Sequence, residues 1–387
     1  MARYELIATA AFGIESVVAD ELRALGYKDL KIEDGRVSFS GDDYDIVRCN
    51  LWLRSADRVL LKMAEFQALD FEDLFQGTLA VRWEDLIPEK GKMHVTGKSV
   101  RSKLYSVPDC QSIVKKAVVE AMKRKYRRTL FEESGPVYKI EVGLLRDTVT
   151  LTVDTSGAGL HKRGYRLEKG EAPLRETLAA AVISLSRWRP DRLLADPMCG
   201  SGTIPIEAAL IGRNRAPGLD REFAAESWPH IPVKVWGKLR AEAREQINRL
   251  DFKILASDRD FRVFAKAREN AERAGVAENI IYQKKPLEEF SSKKKYGCIV
   301  CNPPYGERLG EEKEVEELYK TMGRVFSTLD TWSVFVLSGH PDFQKLYGQR
   351  SSKNRKLYNG RLQCYLYQYW GPLPPRRKVG GDESAEE

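Results

Sequence analysis

The chain has 387 residues, 42% of them apolar, and at roughly 100–200 residues per domain that length fits two to four domains. No apolar run approaches the ~18 residues of a membrane span. The opening Met1–Glu5 passes straight into an alternating pattern rather than a signal peptide, and six scattered cysteines fit a reducing cytoplasm better than a disulfide framework. A net charge of +8 and a pI of 9.0 favour a polyanionic partner, with an ordinary basic surface as the plain alternative.

Tyr4 to Ala10 alternates and reads as a strand. Gly13 to Leu25 places Ile14, Val17, Val18, Leu22 and Leu25 on one helical face, and Gly26 ends it. Short strands at 30–32 and 37–39 flank the turn Asp34-Gly35. A helix over 44–51 and a strand over 59–63 complete β-α-β-β-α-β, the order of a ferredoxin-like unit. Residues 71–86 then read as one helix and 93–95 as a strand. A long helix follows from Gln111 to about Tyr126, with Asp109 as its cap. A hairpin at 138–142 and 148–154 turns at Arg146-Asp147.

Lys98, Arg101 and Lys103 precede that long helix, and Lys123, Arg124, Lys125, Arg127 and Arg128 end it around Tyr126. Cations complement a helix C-terminus, but this many beside an aromatic also fit a phosphate-binding surface. Ser156-Gly157-Ala158-Gly159 reads as a flexible joint. The basic segment His161-Lys162-Arg163-Gly164-Tyr165-Arg166 after it is either a solvated linker or the lining of a cleft crossed by RNA.

Beyond a helix at 174–185, strands and helices alternate, as in a doubly wound sheet. The strands fall at 193–196, 254–257, 280–283, 298–301, 333–337 and 363–369, with helices at 204–210, 235–250, 261–274 and 315–329 between them. An irregular stretch from Gly212 to about Ile231 interrupts the alternation. After Trp370 the composition turns to proline, basic residues and a Gly/acidic end, read as a disordered tail over 372–387.

Two strand ends carry the chemistry. The first continues into Asp196-Pro197-Met198-Cys199-Gly200-Ser201-Gly202-Thr203. Glycines there let backbone N–H groups approach a ligand. Pro205 stands where a dinucleotide fingerprint wants glycine or alanine, and no Gly-Lys-Ser/Thr marks a P-loop. Asp258, at the next strand end and beside Arg259, is suited to accept both ribose hydroxyls of an adenosine. The second motif is Asn302-Pro303-Pro304-Tyr305. The Asn302 amide carbonyl and the Pro303 backbone carbonyl suit the two protons of an NH2 group, the prolines stiffen the loop, and Tyr305 suits stacking on a base. Together the motifs suggest methyl transfer from S-adenosylmethionine to an exocyclic amine. Cys298 and Cys301 point to opposite faces of their strand and the histidines are scattered, so no metal site is expected.

The two loops, His161–Arg166 with Ala172–Ala179, the inserted Ala216-Pro217-Gly218-Leu219 and the opening Ala8–Glu15 resemble the THUMP-domain RNA guanine-N2 methyltransferases. The opening Ala8–Glu15 looks like the start of the bacterial enzymes of that group that act on 23S ribosomal RNA. The resemblance runs from about residue 1 to 371. It implies an α/β chain with a ferredoxin-like region at 1–60, an RNA-binding THUMP domain at 61–155, a linker and helix at 156–190 and a Rossmann-like class I methyltransferase domain at 191–371. It further implies that Asp196, Gly200 and Gly202 contact S-adenosylmethionine, that Asp258 holds its ribose, and that residues 302–305 hold a guanine of structured RNA. Gln283-Lys284-Lys285-Pro286 lacks the acid that many such enzymes place near the adenine. Transfer RNA as substrate, an adenine amine as target, and a non-catalytic RNA-binding role stay open.

Overall fold

A computed structural model describes residues 3–166, 174–305 and 312–375; the end of the expected tail, 376–387, and the Ala172-Pro173 part of the family motif lie outside these. Alternation in the first strand, β1 (Tyr4–Thr9), buries Leu6 and Ala8 against helix α1 (Glu15–Ala24), whose Val17, Val18 and Leu22 face the sheet. Strands β2 (Lys31–Glu33) and β3 (Arg36–Gly41) follow. Helix α2 (Asp43–Trp52) then begins in a reciprocal capping box between Asp42 and Asp45. Strand β4 (Arg58–Gln67) closes this unit and opens the next. Helices α3 (Phe71–Leu79) and α4 (Trp83–Leu86), strand β5 (Lys92–Val100), helix α5 (Val107–Tyr126) and strands β6 (Val137–Leu145) and β7 (Thr148–Asp154) complete it. All seven strands form one sheet, ordered β2-β3-β1-β4-β7-β6-β5.

The expected single helix over 71–86 is two helices. Trp83 is fully buried and its indole N–H donates to the Thr78 carbonyl at 2.9 Å, which folds the chain back after Leu79. Asp109 lies in the first turn of α5, whose N-cap is Ser106. The hairpin turn at Arg146-Asp147 has φ of +51° and +63°, the positive pair of a tight primed turn. Residues 156–159 are not a joint. Ser156 is buried, accepts from Val59 N at 2.9 Å and donates to Asn50 Oδ1 at 2.6 Å, and Arg58 binds the Gly157 carbonyl.

The second sheet starts after helix α6 (Glu176–Leu185). In chain order it comprises β8 (Leu194–Asp196), α7 (Thr203–Gly212), α8 (Val233–Glu245), β9 (Ile254–Asp258), α9 (Phe261–Arg273), β10 (Ile280–Lys284), β11 (Cys298–Cys301), α10 (Glu312–Phe326), β12 (Ser333–Ser338), α11 (Phe343–Tyr347), β13 (Lys353–Asn359) and β14 (Leu362–Tyr369). The strand order is β10-β9-β8-β11-β12-β14-β13, parallel up to β12 and antiparallel beyond it. β13 was not expected from Lys-Asn-Arg-Lys-Leu-Tyr-Asn, because it is a polar edge strand that buries only Leu357 fully.

The irregular stretch 212–231 binds the halves together. Trp228 stacks on Tyr138 with centroids 4.9 Å apart and donates to the Val137 carbonyl, while Gly218 N and Ala225 N donate to Leu51 O and Thr155 O. Burying a tryptophan removes ~150–250 Å² from water, so this contact fixes the domains rather than merely touching them. One core runs across both halves and includes Cys298. Cys301 belongs to a second core on the other face of the catalytic sheet.

Candidate active site

The two motifs leave neighbouring strands. β8 pairs with β11 in parallel, Leu194 with Cys298 and Ala195 with Ile299. Asp196 and Asn302 therefore emerge at the same sheet edge, from strands about 4.8 Å apart. The sequence order of the strands reverses between β8 and β11, the switch point where open α/β sheets hold ligands. β9 flanks β8 on the other side and delivers Asp258 to the same edge.

The glycine loop is a tight turn, closed by Gly202 N donating to Cys199 O at 2.8 Å. Gly200 and Gly202 have φ of +51° and +83°, and a Cβ on Gly200 would meet nothing within 4 Å. The turn thus presents an open backbone face. Asp258 braces it: Oδ2 accepts from Gly200 N at 2.9 Å and Oδ1 from Asp260 N at 3.0 Å. Asn270 of α9 donates to the Ser201 carbonyl, and Cys199 N donates to Ser257 O. Asp196 is 1% exposed and accepts from Met198 N at 3.2 Å, which ties its carboxylate to the start of the turn. Burial pushes its carboxyl well above the usual range, and nearby Asp258 adds to this. Cys199 is packed in the core and burial raises its thiol in the same way. Pro197 and Thr203 are buried, and Arg259 is exposed beside Asp258.

In the second loop Pro303 is buried, Pro304 exposed, and Asn302 and Tyr305 half-buried. The Tyr305 hydroxyl donates to Asn302 Oδ1. The Pro304 carbonyl accepts from the Tyr319 hydroxyl at 2.8 Å, and that hydroxyl also lies 3.2 Å from Ser338 Oγ at the end of β12. Tyr319, on α10, was missed by sequence reasoning. Its signal is a tyrosine on the buried stripe of a helix, where the hydroxyl must find a partner. The structure gives Tyr305 a role besides the expected stacking: it orients the Asn302 amide.

Comparison with known proteins places this geometry. Residues 163–368 match the RMKL-like methyltransferase domain, 5–60 the RlmL ferredoxin-like domain and 68–154 the THUMP domain. Over 381 residues, 98% of this chain and 99% of its relative, the chain is 51% identical to "Putative RNA methyltransferase YpsC" of Bacillus subtilis (strain 168). The chain belongs to the RMKL-like methyltransferase family. It is also 38% identical to the ribosomal RNA large subunit methyltransferase K/L of Syntrophotalea carbinolica, over 98% of this chain but 55% of that longer protein. The crystal structure of SMU.472 complexed with SAH superposes with a TM-score of 0.91 at 44% identity, covering 97% of this chain and all of that one.

In this methyltransferase the basic residues expected to hold RNA fall into two sets: Arg163 and Arg166 are engaged inside the fold, while Lys98, Arg101, Lys103, Arg124, Lys125, Arg127 and Arg128 are exposed, several of them in surface ion pairs. Arg163 is buried. Its guanidinium donates to the Leu160 and Arg54 carbonyls and lies 3.5 Å from Glu207 Oε1, which also accepts from Tyr165. Arg166 donates to Thr203 Oγ1 and pairs with Glu176 at 3.3 Å. His161 is half-buried, and burial, then Arg175, push its imidazole down to about 4. The segment 160–166 is therefore a strap clamped on α7 rather than a solvated linker, and its Arg163, Gly164 and Tyr165 border an opening shared with Arg215 and Arg273. Arg124 and Lys125 bind carbonyls and Glu84 beneath α4, Arg128 pairs with Glu89, and Lys123 with Glu120. Lys98, on β5 rather than in a loop, pairs with Glu141. Arg101, Lys103 and Arg127 are exposed.

Proposed function

We propose that this chain transfers a methyl group from S-adenosylmethionine to the exocyclic N2 amine of a guanine in structured RNA, with 23S ribosomal RNA as the substrate. The observation that carries the reading is the adjacency of β8 and β11, which brings the glycine turn and the Asn302 clamp to the same end of the sheet, where such folds hold ligands. The residues fit the cofactor: an open glycine turn for its amino-acid end and Asp258 for its ribose, since that carboxylate keeps acceptor capacity beyond its two backbone bonds. When bound, S-adenosylmethionine would supply an electrophilic methyl, its sulfonium S–CH3 bond breaking as the N–CH3 bond forms and the neutral thioether, S-adenosylhomocysteine, leaving. Asn302 Oδ1 and the Pro303 carbonyl accept both amine protons, which keeps the nitrogen lone pair out of ring conjugation and directs it at the methyl carbon. Entry of the base displaces the Tyr305 hydroxyl from Asn302 and frees the ring to stack. After transfer the nitrogen gives one proton to solvent. Positioning supplies most of the acceleration, up to ~7–11 kcal/mol.

Similarity to a K/L enzyme named for large-subunit ribosomal RNA, the SAH complex of SMU.472 and the THUMP match support this assignment. Nucleoside mass spectrometry of ribosomal and transfer RNA from a deletion strain tests it. Loss of N2-methylguanosine from 23S RNA is expected. Loss of a methylated adenosine instead, or loss confined to transfer RNA, overturns the base or the substrate. Failure to bind S-adenosylmethionine in calorimetry overturns the enzyme.

A further inference from the structure

We propose that a second opening beside the clamp, walled by Phe12, Tyr358, Arg175 and Arg361, is a subsite for a nucleotide flanking the target base. This rests on the reading that the substrate is RNA. Its place follows from the sheet. β14 runs antiparallel to β12, with Ser338 opposite Tyr365, so the β13–β14 turn lies at the same edge as Asn302. Gly339 sits between the Tyr305 ring and the Gln363 carbonyl, its Cβ direction ending 3.1 and 3.2 Å from them. Gln363 pairs across the hairpin with Tyr358. Tyr358 is thus three strand spacings, roughly 14 Å, from β11, the strand that carries the clamp.

The other wall comes from the ferredoxin-like unit. Gly13 is pressed on β13 so closely that a Cβ would stand 2.3 Å from the Lys356 carbonyl. Arg355 donates to Ser16 Oγ at 2.8 Å. These contacts set Phe12 edge-on to Tyr358 at 6.1 Å, yet leave it 54% exposed. Two guanidinium groups face the same space: Arg175, whose backbone N–H donates to Asn359 Oδ1 and whose guanidinium lies 4.0 Å from the Asp57 carboxylate that shares the wall, and the exposed Arg361. The opening holds about 410 Å³, within the ~300–1,000 Å³ of small-molecule sites. An exposed aromatic beside guanidinium groups is the chemistry that takes a single-stranded nucleotide, base on the ring and phosphate on the cations. Enzymes that extrude a base read its neighbours through such contacts.

The test uses the full chain and ribosomal RNA from cells lacking it, with Phe12→Ala, Phe12→Tyr and Arg361→Glu. Phe12→Ala and Arg361→Glu are expected to raise KM for RNA about 5- to 100-fold, with kcat held within about threefold. Cofactor affinity and melting temperature stay unchanged, and Phe12→Tyr restores KM. A single-stranded oligoribonucleotide carrying 4-thiouridine, irradiated with the wild-type chain, is expected to crosslink to the peptides of Phe12 or Tyr358. Wild-type KM in both disruptive variants, with active enzyme, overturns the subsite and leaves the methylation reading intact. Crosslinking at Phe12 without methylation of any RNA overturns that reading and leaves the subsite.

Discussion

Asn302 owes its orientation to one neighbour. The Tyr305 hydroxyl fixes the amide oxygen, and buried Tyr319 fixes the loop through the Pro304 carbonyl. Removing the amide leaves the loop anchored and takes away one acceptor of the amine. Asn302→Ala is therefore expected to lower turnover by about a hundredfold or more while calorimetry finds cofactor affinity unchanged; turnover near wild type removes Asn302 from the mechanism. His161 gives a prediction of a different kind. Its imidazole has an ordinary value of 6.5 and lies at about 4 in the fold, through burial and then the charges of Arg175, Lys162 and Arg163. Between those values the unfolded chain takes up a proton that the folded chain refuses, so this group's contribution to stability is lost as pH falls from 6.5 towards 4. Asp57 and Glu176, raised by burial, act in the opposite sense. The difference in melting temperature between the wild type and His161→Gln isolates the histidine: it shifts in favour of the variant as the solution is acidified. A difference independent of pH refutes the assignment.

The strap and helix α7 show how an element is held and why a sequence hides it. Arg163 and Glu207 are 3% and 0% exposed at the side chain, 3.5 Å apart, and Tyr165 shares the carboxylate. Cutting one side of a buried pair leaves the other charge uncompensated, so Arg163→Met is expected to cost about 3–5 kcal/mol in chemical denaturation. Arg163→Met combined with Glu207→Leu recovers most of that loss; a double variant no more stable than the single one shows that packing, not charge, holds the strap. In sequence the same arginine stands in a run of basic residues, and nothing local says that its acid lies on a helix beyond the glycine loop. The two site loops were legible for the opposite reason. Each is a contiguous motif following an apolar strand, and their juxtaposition needs only the order of a doubly wound sheet. Tyr319 and the β13 wall depend on which distant elements meet, and a polar edge strand such as β13 lacks the alternation that marks a half-buried one.

Across the whole molecule the decisive element is β4. Its first half pairs with β1 through residues 58–62 and its length from Leu60 to Gln67 pairs with β7, the register shifting between Lys62 and Ala64. The ferredoxin-like and THUMP regions thus share a strand, although separate family patterns describe them. The boundary that a sequence suggests near residue 60 falls inside a ladder of hydrogen bonds. A fragment cut at 68–154 would lose β4 and bare the edge of β7 along seven residues, Thr148 to Asp154, five of them buried in the whole chain and three of those, Val149, Leu151 and Val153, in the hydrophobic core. Such an edge is a template for pairing with another chain, and the fragment also loses the apolar cover of Leu61 and Val59. Fragment 68–154 is therefore expected to aggregate or to lack a cooperative thermal transition by circular dichroism. Fragment 1–160, which keeps all seven strands and the buried Ser156 contacts to Asn50 and Val59, is expected to melt in one transition. Two separate transitions in 1–160, or a monomeric cooperative 68–154, would show that the shared strand does not couple the two regions.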